Sequence, residues 1–298
     1  MTIKSPNFFL VGAPKCGTTS ISHWLGQNPE CYFSPVKEPH FFAKHYDASS
    51  MLKYDQFNYD EYIALFSNAE AQHKAIGEGS THYLRSKAAL QDIHDTFPKA
   101  RIIVCLRNPI EMAKSMHDHS VFWGNEHIKD FAKAWRSQVY REKSQKVGAW
   151  MKNPTALAYG QLCSLGTQLD NAIGIFGSDN VHTIFMDDIK NNATDVYEDL
   201  CDFLDIQKFE VSLHAKNVSR GRRSHLFNIT YRALKARGAL PSRVNKKWFK
   251  LNETYNVCSL KKSPIPDALR LEMVEYFRPE VEKIEKLCRR DLSHWKKV

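Results

Sequence analysis

Phe8-Phe9-Leu10-Val11-Gly12-Ala13-Pro14-Lys15-Cys16-Gly17-Thr18-Thr19-Ser20 reads as a strand, a tight turn and the start of a helix. The apolar run predicts a buried strand over residues 8–11, Gly12 and Pro14 a turn, and the residues after Gly17 a helix. This order aims free backbone N–H groups at an anion. Gly12 and Gly17 permit close approach and Lys15 adds a point charge. Thr18, Thr19 and Ser20 offer hydroxyl donors at the positive helix end.

A nucleotide-triphosphatase loop would read G-x-x-x-x-G-K-[ST]. The spacing of Gly12 and Gly17 fits, but Thr18 stands where that lysine belongs. The loop is therefore expected to hold a 5′ phosphate-anhydride group without the usual Mg²⁺, and no metal site is expected elsewhere.

Outward from this loop, residues 74–76, 101–106 and 181–185 are further short apolar runs that predict buried strands. Helical spacing separates them at 18–25, 86–97, 109–122 and 158–176. The alternation predicts an α/β fold, a parallel sheet flanked by helices. Beyond residue 185 the pattern turns mostly helical, at 193–204, 224–237 and from about Pro266. Residues 213–223, rich in Ser, Asn, Gly and Arg, read as a loop. A single domain over 1–298 is expected.

The 298 residues carry 42 Lys and Arg against 33 Asp and Glu, a net charge of +9, which predicts attraction to an anionic ligand or a polyanion. Seven scattered cysteines with no C-x-x-C pair suggest neither a disulfide framework nor a zinc site. The N-terminal apolar run over 8–13 is about six residues, short of the roughly 7–15 of a signal core and the roughly 20 of a membrane span, so a cytoplasmic protein is expected.

The loop Pro14-Lys15-Cys16-Gly17-Thr18-Thr19 resembles the P-K-x-G-T-T donor loop of the sulfotransferase superfamily, glycan and bacterial members above all. The resemblance implies a P-loop-like fold with 3′-phosphoadenosine 5′-phosphosulfate (PAPS) as sulfuryl donor and the bisphosphate PAP as product. Residues 14–20 would cradle the 5′-phosphosulfate, with Lys15 near the bridging oxygen. Arg107-Asn108-Pro109 after the strand at 101–106, with Ser115 eight residues beyond Arg107, is similar to the family's 3′-phosphate motif. It implies a guanidinium fork from Arg107 and a hydroxyl from Ser115. Arg220-Gly221-Arg222 resembles the loop that closes over that phosphate. Tyr159, Leu162, Asp187-Asp188-Ile189, Phe203-Leu204 and Asp291-Leu292-Ser293 near Trp295 extend the likeness along the chain.

Sulfuryl transfer to an alcohol needs a base for the hydroxyl proton and positive charge around the sulfonate. Lys37-Glu38-Pro39-His40-Phe41-Phe42 resembles the E-x-H-F-F segment of glycan sulfotransferases. The resemblance implies Glu38 as base, His40 as a substrate or orienting contact, and Lys37 near the sulfonate. His117 and His119 keep open a histidine base, as in small-molecule (lipid or natural-product) sulfotransferases. Glu78-Gly79-Ser80 is similar to the family's E-K-[ST] segment but has glycine in place of lysine. Lys37 or Arg85 could compensate, and Ser80 is expected to face the acceptor or sulfonate. The expected acceptor is a hydroxyl, of a carbohydrate and possibly an anionic glycan, with neither nucleic acid nor a membrane span implied. A nucleotide kinase and a polyanion-binding module are the rival classes.

Overall fold

The computed structural model describes residues 4–43, 57–143, 157–214, 220–222, 248, 250, 254, 257–259 and 263–297. The helix expected at 224–237 lies outside them. The chain gathers into two compact units, one drawn from Met1–Met112, Ser164–Lys216 and Val274–Lys297, the other from Ala113–Cys163, Asn217–Met273 and Val298.

The first unit is built on five parallel strands in the order β2-β3-β1-β4-β5, namely β1 Phe8–Gly12, β2 Cys31–Phe33, β3 Ala75–Glu78, β4 Arg101–Leu106 and β5 Val181–Phe185. Phe8 pairs with Gly77 on one side and Arg101 on the other, which makes β1 the central strand. All five of its residues are buried, as expected of a parallel strand covered on both faces. The chain runs from β1 to β2 and β3 on one side, then to β4 and β5 on the other. This creates a crevice at the carboxyl ends of β1 and its neighbours, where open α/β sheets bind ligands.

The helices follow their local signals. Helix α1 (Thr18–Leu25) begins after Gly17, and α2 (Tyr59–Ala64) starts with a capping box between Asn58 and Glu61. Helix α3 (Lys87–Thr96) is capped by Ser86, whose Oγ accepts from the Ala89 N–H at 3.1 Å. Helix α4 (Pro109–Trp123) opens on proline, a residue suited to a first helical position, and α5 spans Phe131–Lys143.

The stretch expected as one helix over 158–176 divides into α6 (Tyr159–Leu162) and α7 (Leu165–Phe176). Helix α7 restarts because the Glu280 carboxylate accepts from the Thr167 N–H at 2.7 Å and its Oγ at 2.8 Å, capping the first turn. Helices α8 (Met186–Asn191) and α9 (Ala193–Leu204) follow β5, and α10 (Asp267–Cys288) carries Glu280.

Residues near 295 brace the carboxyl edge of the sheet. Trp295 Nε1 donates to Asp187 Oδ2 at 2.9 Å, and Asn108 Nδ2 donates to the Trp295 carbonyl at 3.3 Å. Arg290 forks onto Asp188 with its guanidinium carbon 4.1 Å from the Phe185 ring centre.

In the second unit, Arg220–Arg222 forms strand β6, antiparallel to β7 (Val257–Ser259), with Gly221 opposite Cys258. The loop expected over 213–223 is corrected there: a strand distant in sequence supplies hydrogen-bond partners that no local signal announces.

Candidate active site

The loop after β1 passes through three residues of positive φ: Gly12 (146°), Lys15 (66°) and Gly17 (96°). A Cβ on Gly17 would lie 2.5 Å from Ile189 Cδ1, and one on Gly12 2.7 Å from the Thr81 carbonyl, so space as well as backbone angle requires glycine. The Ala13 N–H donates to the Cys105 carbonyl at 2.9 Å, tying the loop to β4. Helix α1 has no side-chain cap and no acidic residue in its first turn, which leaves its positive end suited to an anion.

Not every loop residue faces outward. The Cys16 thiol is buried, 3.5 Å from the Pro14 carbonyl and 3.7 Å from Met112 sulfur, and burial pushes its pKa up to about 12. Any part it plays belongs to its main chain. Thr18 and Ser20 are buried too, while Pro14, Lys15 and Thr19 are partly exposed. Thr19 is thus the most exposed of the three hydroxyls at the helix start.

Arg107, at the end of β4, donates through Nη1 to the Lys15 carbonyl at 3.1 Å, and its Nη2 lies 3.8 Å from Glu111. Asn108 Oδ1 accepts the Ile110 N–H at 2.9 Å and caps α4. Ser115 falls on α4, partly exposed. Arg220, Gly221 and Arg222 are described as backbone only, in β6; Ser219 and Arg223 lie outside the described residues.

After β2 the chain turns through Glu38 (φ 54°) and His40 (φ 55°), two left-handed residues flanking Pro39. Glu38 Oε2 sits 3.3 Å from His40 Nε2, with the carboxylate side chain 28% exposed and the histidine 4%. Glu38 therefore meets solvent, and His40 lies buried beside it.

Below this pair, Glu78 is fully buried at the end of β3. Ser80 Oγ donates to its Oε2 at 2.7 Å, Tyr83 Oη to Oε1 at 2.8 Å and Tyr62 Oη to Oε1 at 3.4 Å. Burial pushes the Glu78 pKa up to about 7 against the pull of these hydroxyls, with the Glu38 charge adding to the rise. The same hydroxyls look outward as acceptors: Ser80 Oγ takes the His40 N–H at 3.0 Å and Tyr83 Oη the Phe42 N–H at 3.2 Å.

Two expectations change here. Ser80 is wholly buried and turned onto Glu78, so it does not face an acceptor. A Cβ on Gly79 would press on the Phe33 ring at 3.0 Å and Leu10 at 3.4 Å, so the family lysine would need these side chains to shift by a few tenths of an ångström. Lys37 is exposed and Arg85 partly buried.

His117, offered as an alternative base, is buried, and its Nε2–H donates to the Ile128 carbonyl at 2.8 Å. Its ring packs against Phe131 and Tyr159. His119 is exposed beside Trp123. Sequence reasoning passed over Tyr62 and Tyr83. The available signal was Glu78 itself, because a carboxylate closing an apolar strand needs hydroxyl partners when buried. Among the described residues no group of three or more His, Cys, Asp or Glu gathers to hold a metal ion. No helix among them is long and apolar enough to cross a membrane.

Comparison with known proteins gives this arrangement a family. A sulfotransferase domain model matches residues 5–221. Human carbohydrate sulfotransferase 15 is 32% identical over 143 residues, covering 36% of this chain and 26% of that protein. The membrane-associated sulfotransferase kil1 of Dictyostelium discoideum is 26% identical over 118 residues, covering 40% and 24%. This chain thus spans about a quarter of the length of these relatives. The crystal structure of a sulfotransferase from Alicyclobacillus acidocaldarius superposes with a TM-score of 0.73 at 25% identity, covering 99% of this chain and 100% of that one. With the loop after β1, the parallel sheet and a domain match over well over half its length, this chain belongs to the sulfotransferase domain family.

Proposed function

We propose that the chain, acting as one catalytic domain, transfers a sulfuryl group from PAPS to a hydroxyl of a carbohydrate, with PAP as product. One observation carries the reading: an uncapped, acid-free helix start after β1 and a solvent-facing carboxylate after β2 lie beyond the carboxyl ends of one parallel sheet. The first suits a phosphorylated donor and the second a hydroxyl proton.

Bound at the loop, PAPS supplies an electrophilic sulfuryl group with a phosphate leaving group. Lys15 offsets the negative charge gathering on that phosphate, and the first-turn N–H groups of α1 add hydrogen bonds. Arg107 is assigned to the 3′-phosphate, since a guanidinium fork matches a phosphate better than the one carbonyl it now contacts. Glu38 accepts the acceptor's proton, and His40 holds the carboxylate in one rotamer. The carbohydrate assignment rests on the E-x-H-F-F segment, the +9 charge and the likeness to a protein named carbohydrate sulfotransferase. A cytoplasmic setting is part of the proposal, supported by six free cysteines among the described residues.

The test is an acceptor screen with sulfur-labelled PAPS against neutral sugars, sulfated and desulfated glycosaminoglycans, phenols and lipid alcohols. Label in a sugar is the expected result. Label in phenols or lipids alone would move the enzyme to the small-molecule branch. Phosphate transfer from ATP with Mg²⁺ in place of any sulfuryl transfer would replace the reading with a kinase.

A further inference from the structure

The segment over residues 37–42 belongs to no strand or helix, yet it must hold Glu38 in place. Two of its residues have left-handed backbone angles that non-glycine residues rarely adopt. Such a conformation persists when its surroundings over-determine it. What surrounds it here is a pair of hydroxyls, Ser80 and Tyr83, that receive the N–H groups of His40 and Phe42.

We infer that Glu78 is a positioning residue for the proposed base: a buried carboxylate that grips the main chain of the Glu38 segment through two hydroxyl relays without touching it. The inference rests on the reading of Glu38 as base. Its logic lies in hydrogen-bond polarity. A hydroxyl has one proton and two lone pairs and rotates to suit its neighbours, whereas an ionised carboxylate only accepts. With Glu78 at their centre, Ser80 and Tyr83 both point their protons inward, at 2.7 and 2.8 Å, and both offer lone pairs to the amides outside. One acceptor thereby orients two rotors in the same sense, and a connected polar network of this kind specifies a single geometry. Burial raises the Glu78 pKa to about 7, so this inward polarity belongs to the ionised form that prevails above that pH. Full burial removes Glu78 from contact with any acceptor.

Two measurements test this. Amide hydrogen exchange at His40 and Phe42 is compared among the parent, Ser80→Ala, Tyr83→Phe and Glu78→Gln. Ser80→Ala should speed exchange mainly at His40 and Tyr83→Phe mainly at Phe42. Glu78→Gln should speed at least one of the two, although Glu78 bonds to neither amide, because a glutamine NH₂ must face one of the hydroxyls. Unchanged exchange at both amides in Glu78→Gln overturns the inference; if that variant does not fold, the relay variants decide by the same criterion at their own amides.

The second measurement is turnover, with labelled PAPS and a desulfated glycosaminoglycan as the probe acceptor. Each relay variant should lose about 10- to 100-fold in kcat, with PAP affinity within threefold of the parent. Ser80→Thr, which keeps the hydroxyl, should recover most of the loss. In a Glu38→Gln background the relay variants should cost little more, since a residue acting through Glu38 has nothing left to position. Multiplying losses in that background would assign Glu78 to the fold alone. A silent Glu38→Gln overturns the base and the inference with it, whereas a damaging Glu38→Gln beside silent relay variants overturns the inference only.

Discussion

The Arg107 guanidinium donates to the main-chain carbonyl of Lys15 at 3.1 Å, so the residue assigned to the donor's 3′-phosphate also holds the loop assigned to its 5′ end. Two consequences for Arg107→Ala can be separated. Loss of the phosphate fork should weaken PAP by about 1.5–3 kcal/mol, as for hydrogen bonds to charged groups. Loss of the carbonyl tie should weaken adenosine 5′-phosphosulfate, which lacks the 3′ group, by about 1 kcal/mol. Titration calorimetry with both ligands reads the difference; equal losses would assign Arg107 to the loop alone.

Thermal shift reports donor identity without any acceptor. PAP should raise the Tm more than ADP or ATP does, and Mg²⁺ should add nothing, because Thr18 replaces the lysine of a triphosphatase loop. Equal stabilisation by ATP with Mg²⁺ would contradict the assignment of the loop.

Glu38→Gln should lower kcat by about 10²- to 10⁴-fold, the usual contribution of a general base, and leave PAP affinity within a few fold. His117→Ala should act differently. Its ring is packed and its Nε2–H is committed to Ile128, so that variant should lose stability before it loses chemistry. A parent-like kcat in Glu38→Gln together with an inactive, folded His117→Ala would reverse the assignment.

The pH dependence of stability follows from Glu78, whose pKa rises from 4.5 to about 7 in the fold. Between those values the native protein binds a proton that the unfolded chain has released. The stabilisation is therefore complete below about 4.5 and is lost as pH rises through about 7. At about 1.36 kcal/mol for each pH decade, this site accounts for about 3 kcal/mol. Denaturation at pH 5 and pH 8 should show a fall in parent stability that is smaller in Glu78→Gln. An identical fall in both would exclude Glu78 as the source.

Gly79→Lys restores the residue found in the family segment but forces a side chain against Phe33 and Leu10. Overpacking of this kind costs about 1–3 kcal/mol, so a lower Tm without a gain in kcat is expected. A more active variant of unchanged Tm would show that the packing yields.

Much of this was legible in the sequence where the cause is local. The apolar runs of β1, β4 and β5 announce parallel strands, and Lys15, Arg107 and Glu38 fall in the connections just beyond β1, β4 and β2. Where the cause is distant, reading failed. Strand β2 is three residues that become a strand because β3 offers its edge, Cys31 opposite Ala75. Helix α7 begins where Glu280 caps Thr167 from 113 residues away, and Arg220–Arg222 becomes a strand because residues 257–259 lie opposite. Tyr83 escaped notice for the same reason, since its partner Phe42 is 41 residues earlier.

The tie between Asn108 and Trp295 spans 187 residues and sits beside the donor-loop end of β4. A chain emerging from the ribosome has made the donor loop, β1 and β4 long before this brace exists. Loop-closure entropy over such a span delays the contact further, so folding should be slow and late to finish. Nascent chains arrested just short of residue 290 lack the Arg290 fork as well. They should hold nucleotide poorly even with every phosphate-binding residue already synthesised. Nucleotide affinity should thus track the synthesis of residues 290–295 as much as that of the loop assigned to the donor.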